Sequence, residues 1–135
     1  MKKLICLSLI LIAVLSGYRG ECQGVTKAAA VSEAAPIEAY YFHNTARCIT
    51  CKTVEAEAKA DLQSLYGTRV NFQSLNLEEE STKAIAKKLQ VSGQTLLIIK
   101  GDKKVDLTNE GFLYARTNPK KFKALIKEKV DGLLE

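Results

Sequence analysis

Cys48 and Cys51 stand three residues apart where an apolar, aromatic run (residues 37–43) gives way to a run with helical spacing (residues 48–66). That junction constrains both fold and chemistry. A strand has to end and a helix begin around these thiols. The first turn of a helix carries unpaired backbone N–H groups and the positive end of the helix dipole, and both favour thiolate over thiol. A thiolate attacks disulfides, and a second thiol one turn further on can resolve the mixed disulfide so formed.

The rest of the chain alternates in the same manner. Residues 37–43 alternate loosely and are rich in aromatics, as strands are. Val54, Ala58, Leu62 and Leu65 recur at three- and four-residue spacing and predict the buried stripe of the helix over 48–66, with Gly67 as its stop. Residues 69–77 read as a second strand with an irregularity near 73–74. Residues 78–90 read as a second helix: Glu78, Glu79 and Glu80 open it where negative charge complements the dipole, Lys87 and Lys88 lie near its end, and Ile85 and Leu89 face inward. Leu96, Leu97, Ile98 and Ile99 form an unbroken apolar run, typical of a strand covered on both faces. Gly101-Asp102 predicts a tight hairpin into a returning strand over 103–108. Asn118 as cap and Pro119 at the first position open a last helix, with Phe122, Leu125, Ile126, Val130 and Leu133 as its apolar stripe. The order is strand, helix, strand, helix, strand, strand, helix. It predicts an α/β fold with a four-stranded mixed sheet, βαβ-type packing at the first two crossovers, an antiparallel hairpin at one edge, and helices on both faces.

At 135 residues the chain accommodates one domain. Lys2 and Lys3 precede an apolar stretch over residues 4–15, too short for a bilayer span, which needs about 20 apolar residues. This layout is that of a secretory signal. The expected division is a signal peptide over 1–24, a linker over 25–35 and a domain over 36–135, in an exported protein, periplasmic or secreted. Leu15-Ser16-Gly17 is a weaker cleavage point than Cys22-Gln23-Gly24. Arg19, Gly20 and Glu21 before Cys22 are not the apolar and small residues that lipid attachment requires. Residues 1–24 carry Lys2, Lys3, Arg19 and Glu21, a net +2 of the chain's +5, so +3 remains after cleavage. That charge is too mild for nucleic acid, and no basic stripe with interleaved aromatics accompanies it. Of four cysteines, Cys48 and Cys51 would remain. A loop so small removes little chain entropy, so the pair is a poor structural staple and a good catalytic one.

The element order, with Cys48-Ile49-Thr50-Cys51 at the start of the first helix, resembles the thioredoxin superfamily in its minimal form, over about residues 36–135. The resemblance implies that Cys48 attacks, that Cys51 resolves, and that residues 91–104 hold the segment facing the active site. It implies a thiol or disulfide substrate, protein or small molecule, and a partner that donates electrons across a membrane or reoxidises the pair. No cofactor and a monomeric state are expected. Three departures stand out. Ile49 and Thr50 replace the Gly-Pro or Pro-His that tune the potential elsewhere in the family. Ser92-Gly93-Gln94-Thr95 occupies the place of the usual cis-proline, with Gln94 as its replacement. A cis bond before a non-proline residue costs about 2.5–4 kcal/mol, so a trans bond is expected there. The buried acid of the first strand and the tryptophan before the first cysteine are absent, with Arg47 in the latter place.

His43, Arg47, Lys52, Gln94 and Thr95 are therefore candidates to tune the pair. Arg47 and Lys52 add positive charge beside Cys48. His43 reads as a proton carrier, a third soft-metal ligand, or a loop histidine bonded to backbone. Glu55 reads as a proton relay or as the partner of Lys59 at i+4. Tyr40, Tyr41 and Phe42 read as sheet core, and the lysines at 120, 121, 123, 127 and 129 as a solvated helix face. Two other functions use the same features. The two thiolates could hold Cu(I), zinc or a trivalent arsenical as a binding module, or the fold could serve as a non-catalytic adaptor.

Overall fold

The computed structural model describes residues 35–135. The expected signal peptide and nearly all of the expected linker lie outside the described residues.

Four strands form one mixed sheet in the order β2-β1-β3-β4: β1 Ile37–His43, β2 Val70–Asn76, β3 Thr95–Lys100 and β4 Lys103–Asp106. Four helices accompany them: α1 Ile49–Tyr66, α2 Glu80–Leu89, α3 Thr108–Tyr114 and α4 Pro119–Leu134. β1 pairs in parallel with β2 and antiparallel with β3, and β3 pairs antiparallel with β4. The fold is α/β, the four-stranded mixed sheet expected from the sequence, with a central β1 leading into the helix that opens at the cysteines.

The period-two alternation of β1 divides the molecule into two layers. Ile37, Ala39 and Tyr41 point into the main core with Leu96 and Ile98 of β3. α1 closes that core with Val54, Ala58 and Leu62, and α4 with Phe122, Ile126, Val130 and Leu133, at the spacing their periodicity predicts. Phe42 and Leu97 alternate to the opposite face and are buried there, as are Thr82 and Ala86 of α2. β3 is thus covered on both faces, as its unbroken apolar run requires.

Several boundaries differ from the sequence-based expectation. β2 keeps continuous register with β1 from Val70 to Asn76, so there is no irregularity at Gln73–Ser74. α2 begins at Glu80 rather than at residue 78, and its most buried residues are Thr82 and Ala86. Ile85 and Leu89 flank that line half-buried, because the helix rests on small side chains. β4 ends at Asp106, where the Asp106 side chain accepts from the Thr108 N–H and turns the chain into α3. The pattern did not predict α3. Its apolar residues, Phe112, Leu113 and Tyr114, all follow Gly111, which reads as a breaker in sequence and is a close-packing residue in space.

The second crossover joins antiparallel strands, not a parallel βαβ pair as expected. Thr95 at the start of β3 pairs with Phe42 near the end of β1. The loop before β3 therefore lies at the same end of the sheet as the β1–α1 junction. Had β3 entered in parallel, residue 94 would sit at the far end, a strand length away.

Candidate functional site

Cys48 is the N-cap of α1, with extended backbone (φ −72°, ψ 168°), and its sulfur accepts from the Cys51 backbone N–H at 3.4 Å. The cysteine thus takes the role that Ser or Asp plays at most helix starts. Cys51 falls one turn on, only 3% exposed, while Cys48 is exposed. The two sulfurs are 2.9 Å apart, and both thiols are free.

The two thiols differ in proton affinity. The hydrogen bond from the Cys51 thiol holds the Cys48 pKa below the ordinary thiol value, helped by the Cys51 and Thr50 backbone N–H groups. Burial pushes the Cys51 thiol up, and its bond to Cys48 adds to the shift. The pair therefore divides into an accessible thiol that ionises more readily and a shielded thiol that holds its proton more tightly.

Two elements reach Cys51 from outside α1. Gln94, half-buried just before β3, places Oε1 2.9 Å from the Cys51 sulfur as acceptor of its S–H. Among the described residues no peptide bond is cis. Tyr41 of β1, fully buried, donates its hydroxyl to the Cys51 carbonyl at 2.9 Å. Burial and the nearby Cys51 thiol raise the Tyr41 pKa, so this phenol stays neutral.

The other candidates are placed as follows. Arg47 forms an ion pair with Glu55, which fixes the loop before Cys48 to the second turn of α1. Glu55 is thus not the partner of Lys59 suggested by the i+4 spacing. The Arg47 guanidinium, reaching back from the loop, brings a bidentate-capable donor to the carboxylate. Lys52 is exposed, and its backbone N–H bonds the Cys48 carbonyl at 3.2 Å. Thr95 uses its hydroxyl on the Gly93 carbonyl at 3.0 Å and does not touch the sulfurs. His43 is buried. Its Nδ1 lies 2.9 Å from the Asn44 carbonyl, which only accepts, so the proton sits on Nδ1. No hydrogen bond joins His43 to either sulfur. Among the described residues no group of three or more His, Cys, Asp or Glu is placed to hold a metal ion.

One part of the site had no signal in the sequence. The Thr45 N–H and hydroxyl both donate to Glu78, at 3.0 and 2.8 Å, and Asn76 Nδ2 donates to the same hydroxyl at 2.8 Å. The Leu77 N–H bonds the His43 carbonyl at 2.7 Å. These bonds tie the β1–α1 loop to the β2–α2 turn and hold Cys48 at the helix start. Glu78, expected in the first turn of α2, lies before that helix. The Tyr41 contact was partly legible, since Tyr41 shares a strand face with Ala39, but its hydroxyl partner was not.

No protein-family model and no curated protein matches the chain. Among solved structures, a malarial protein is similar over 51% of this chain and 74% of its own, at 23% identity and a TM-score of 0.41. The germline-specific thioredoxin Deadhead of Drosophila melanogaster is similar over 72% of this chain and 84% of its own, at 14% identity and a TM-score of 0.47.

Proposed function

We propose that this chain is an exported thiol–disulfide oxidoreductase that cycles Cys48 and Cys51 between dithiol and disulfide. The observation that carries this reading is the asymmetry of the pair: an exposed N-cap thiol with lowered pKa, 2.9 Å from a buried thiol with raised pKa. The first attacks a disulfide of a protein or small-molecule substrate, and the second resolves the resulting mixed disulfide. Arg47, Lys52, Gln94 and Thr95 flank the pair in sequence or space. His43 holds the end of β1 through its backbone bond. Export rests on Lys2, Lys3 and the apolar residues 4–15. In an oxidising compartment such a pair requires a membrane-borne electron donor or a reoxidising protein to turn over.

Redox titration of the full chain in glutathione buffers, read by alkylation and mass on the peptide holding both cysteines, tests this reading. A reversible couple near about −120 mV identifies a disulfide donor, and one near about −270 mV a reductant. A pair that never closes in oxidising buffer refutes the reading and directs attention to soft-metal titration.

A further inference from the structure

The Cys51 thiol has one proton and two acceptors. Its sulfur is 2.9 Å from Gln94 Oε1 and 2.9 Å from Cys48 Sγ. Among the described residues Gln94 is the one side chain besides Cys48 that bonds this sulfur. An amide carbonyl is far too weak a base to remove the proton, so Gln94 does not activate Cys51 as a buried carboxylate would. An amide carries an acceptor and two donors on one plane, and turning it by half a rotation exchanges them.

We propose that Gln94 is a catalytic residue for the resolving step: its Oε1 accepts from the Cys51 thiol at rest, and its Nε2, turned inward, donates to the Cys51 thiolate during attack. The assignment rests on the oxidoreductase reading for the step it serves. In that step the Cys51 thiolate attacks the Cys48 sulfur of a mixed disulfide. The Cys48–Cys51 bond forms, and the bond from Cys48 to the substrate sulfur breaks with its electron pair leaving on the substrate. The substrate sulfur is reduced, the cysteine pair is oxidised, and the proton lost by Cys51 ends on the departing thiolate by way of solvent. A thiolate at a position 3% exposed needs a donor, because burial disfavours the charged form. Gln94 supplies one without adding a charge to the site. The loop before β3 is held for this purpose by the Thr95–Gly93 bond and by Gln90, which ends α2 in the left-handed conformation (φ 60°).

The titratable neighbours of Cys51 are Cys48 on the same turn, Tyr41 from β1, and the Arg47–Glu55 pair beside Tyr41. They are constant across the test variants. The full chain carrying Cys48→Ser is alkylated with iodoacetamide across pH, and modification of Cys51 is read by peptide mass. Gln94→Glu retains the acceptor, loses the donors and adds a like charge. Gln94→Leu loses both roles, and the lost donor to a charged sulfur outweighs the lost acceptor to a neutral one. The expected result is a Cys51 titration midpoint raised by about one unit in each variant. With Cys48 intact and loaded as a mixed disulfide with thionitrobenzoate, release at neutral pH should slow by about threefold in Gln94→Leu. That figure is a tenfold loss of thiolate partly offset by the greater nucleophilicity of a more basic sulfur. A midpoint unchanged or lowered in Gln94→Leu overturns the proposal, the latter making Gln94 an acceptor only. A raised midpoint in Gln94→Glu also follows from its added charge, so the neutral Gln94→Met, unbranched and of similar length, replaces the leucine variant if that one does not fold. The alkylation profile is independent of whether the pair cycles, so it can fail while the redox titration succeeds, and the reverse.

Discussion

Gly111 offers a quantitative test of how α3 is seated behind the cysteine helix. It lies within α3 and is buried, and a Cβ built there would fall 2.8 Å from Val54 Cγ1 and 3.5 Å from Phe122 Cζ. Favourable carbon contacts begin at about 3.5 Å, so the first distance is too short by about 0.7 Å. Val54 is fully buried on α1, one turn beyond Cys51, and its β-branched side chain has one strongly preferred rotamer in a helix. Either Val54 leaves that rotamer or α3 moves away from α1. Overpacking of this kind costs about 1–3 kcal/mol. Against it, Gly→Ala in an uncrowded helix gains about 1 kcal/mol. Gly111→Ala should therefore be neutral to destabilising, by about 0–2 kcal/mol. In a Val54→Ala background the clash is gone, and the same substitution should stabilise by up to about 1 kcal/mol. Urea unfolding of the four proteins measures the coupling, expected at about 1–3 kcal/mol. If Gly111→Ala stabilises by about 1 kcal/mol in both backgrounds, α3 does not press on α1 at Val54 and the reasoning fails.

Two carboxylates should respond to pH with opposite sign. The Thr45 hydroxyl and N–H hold Glu78 below its ordinary pKa, so its contribution to stability is present above the unfolded value of about 4.3 and is lost as pH falls through the folded one. Gln at this position should unfold at lower urea than wild type at neutral pH, and the gap should close in acid; a gap independent of pH would disprove the clamp. Asp61 is buried on α1 with Lys123 of α4 at 3.5 Å, and Oδ2 has no hydrogen-bond partner among the described residues. Burial raises its pKa despite the lysine, so its favourable contribution belongs to low pH and is lost as pH rises through the folded pKa. Asp61→Asn should flatten the part of the urea–pH profile that lies above the unfolded carboxylate value of about 3.9, and a steeper profile in the variant would contradict the assignment.

The legible parts of this protein are those with short-range physical causes. Asn118 caps α4 by accepting from the Lys121 N–H, and Pro119 follows it, because those residues supply an acceptor and a preset φ wherever they occur. The stripes of α1 and α4 follow from helical period, the coverage of β3 from its apolar run, and the turn at Gly101 (φ 58°) from its missing Cβ. The placement of Cys48 at a helix N-terminus was likewise readable, since Cys-x-x-Cys opens the first helical period. α3 was not, because Gly111 is explained only by Val54, more than fifty residues earlier.

The local sequence thus determined the four strands and three of the four helices, and that the thiol pair would stand at a helix start. It could not determine what faces Cys51. Gln94 reaches Cys51 because β3 enters antiparallel to β1, and Glu78 reaches Thr45 because β2 ends beside β1 in parallel. Strand direction and neighbour depend on how all the apolar faces are buried together, a property of the whole packed chain that no single window of residues contains.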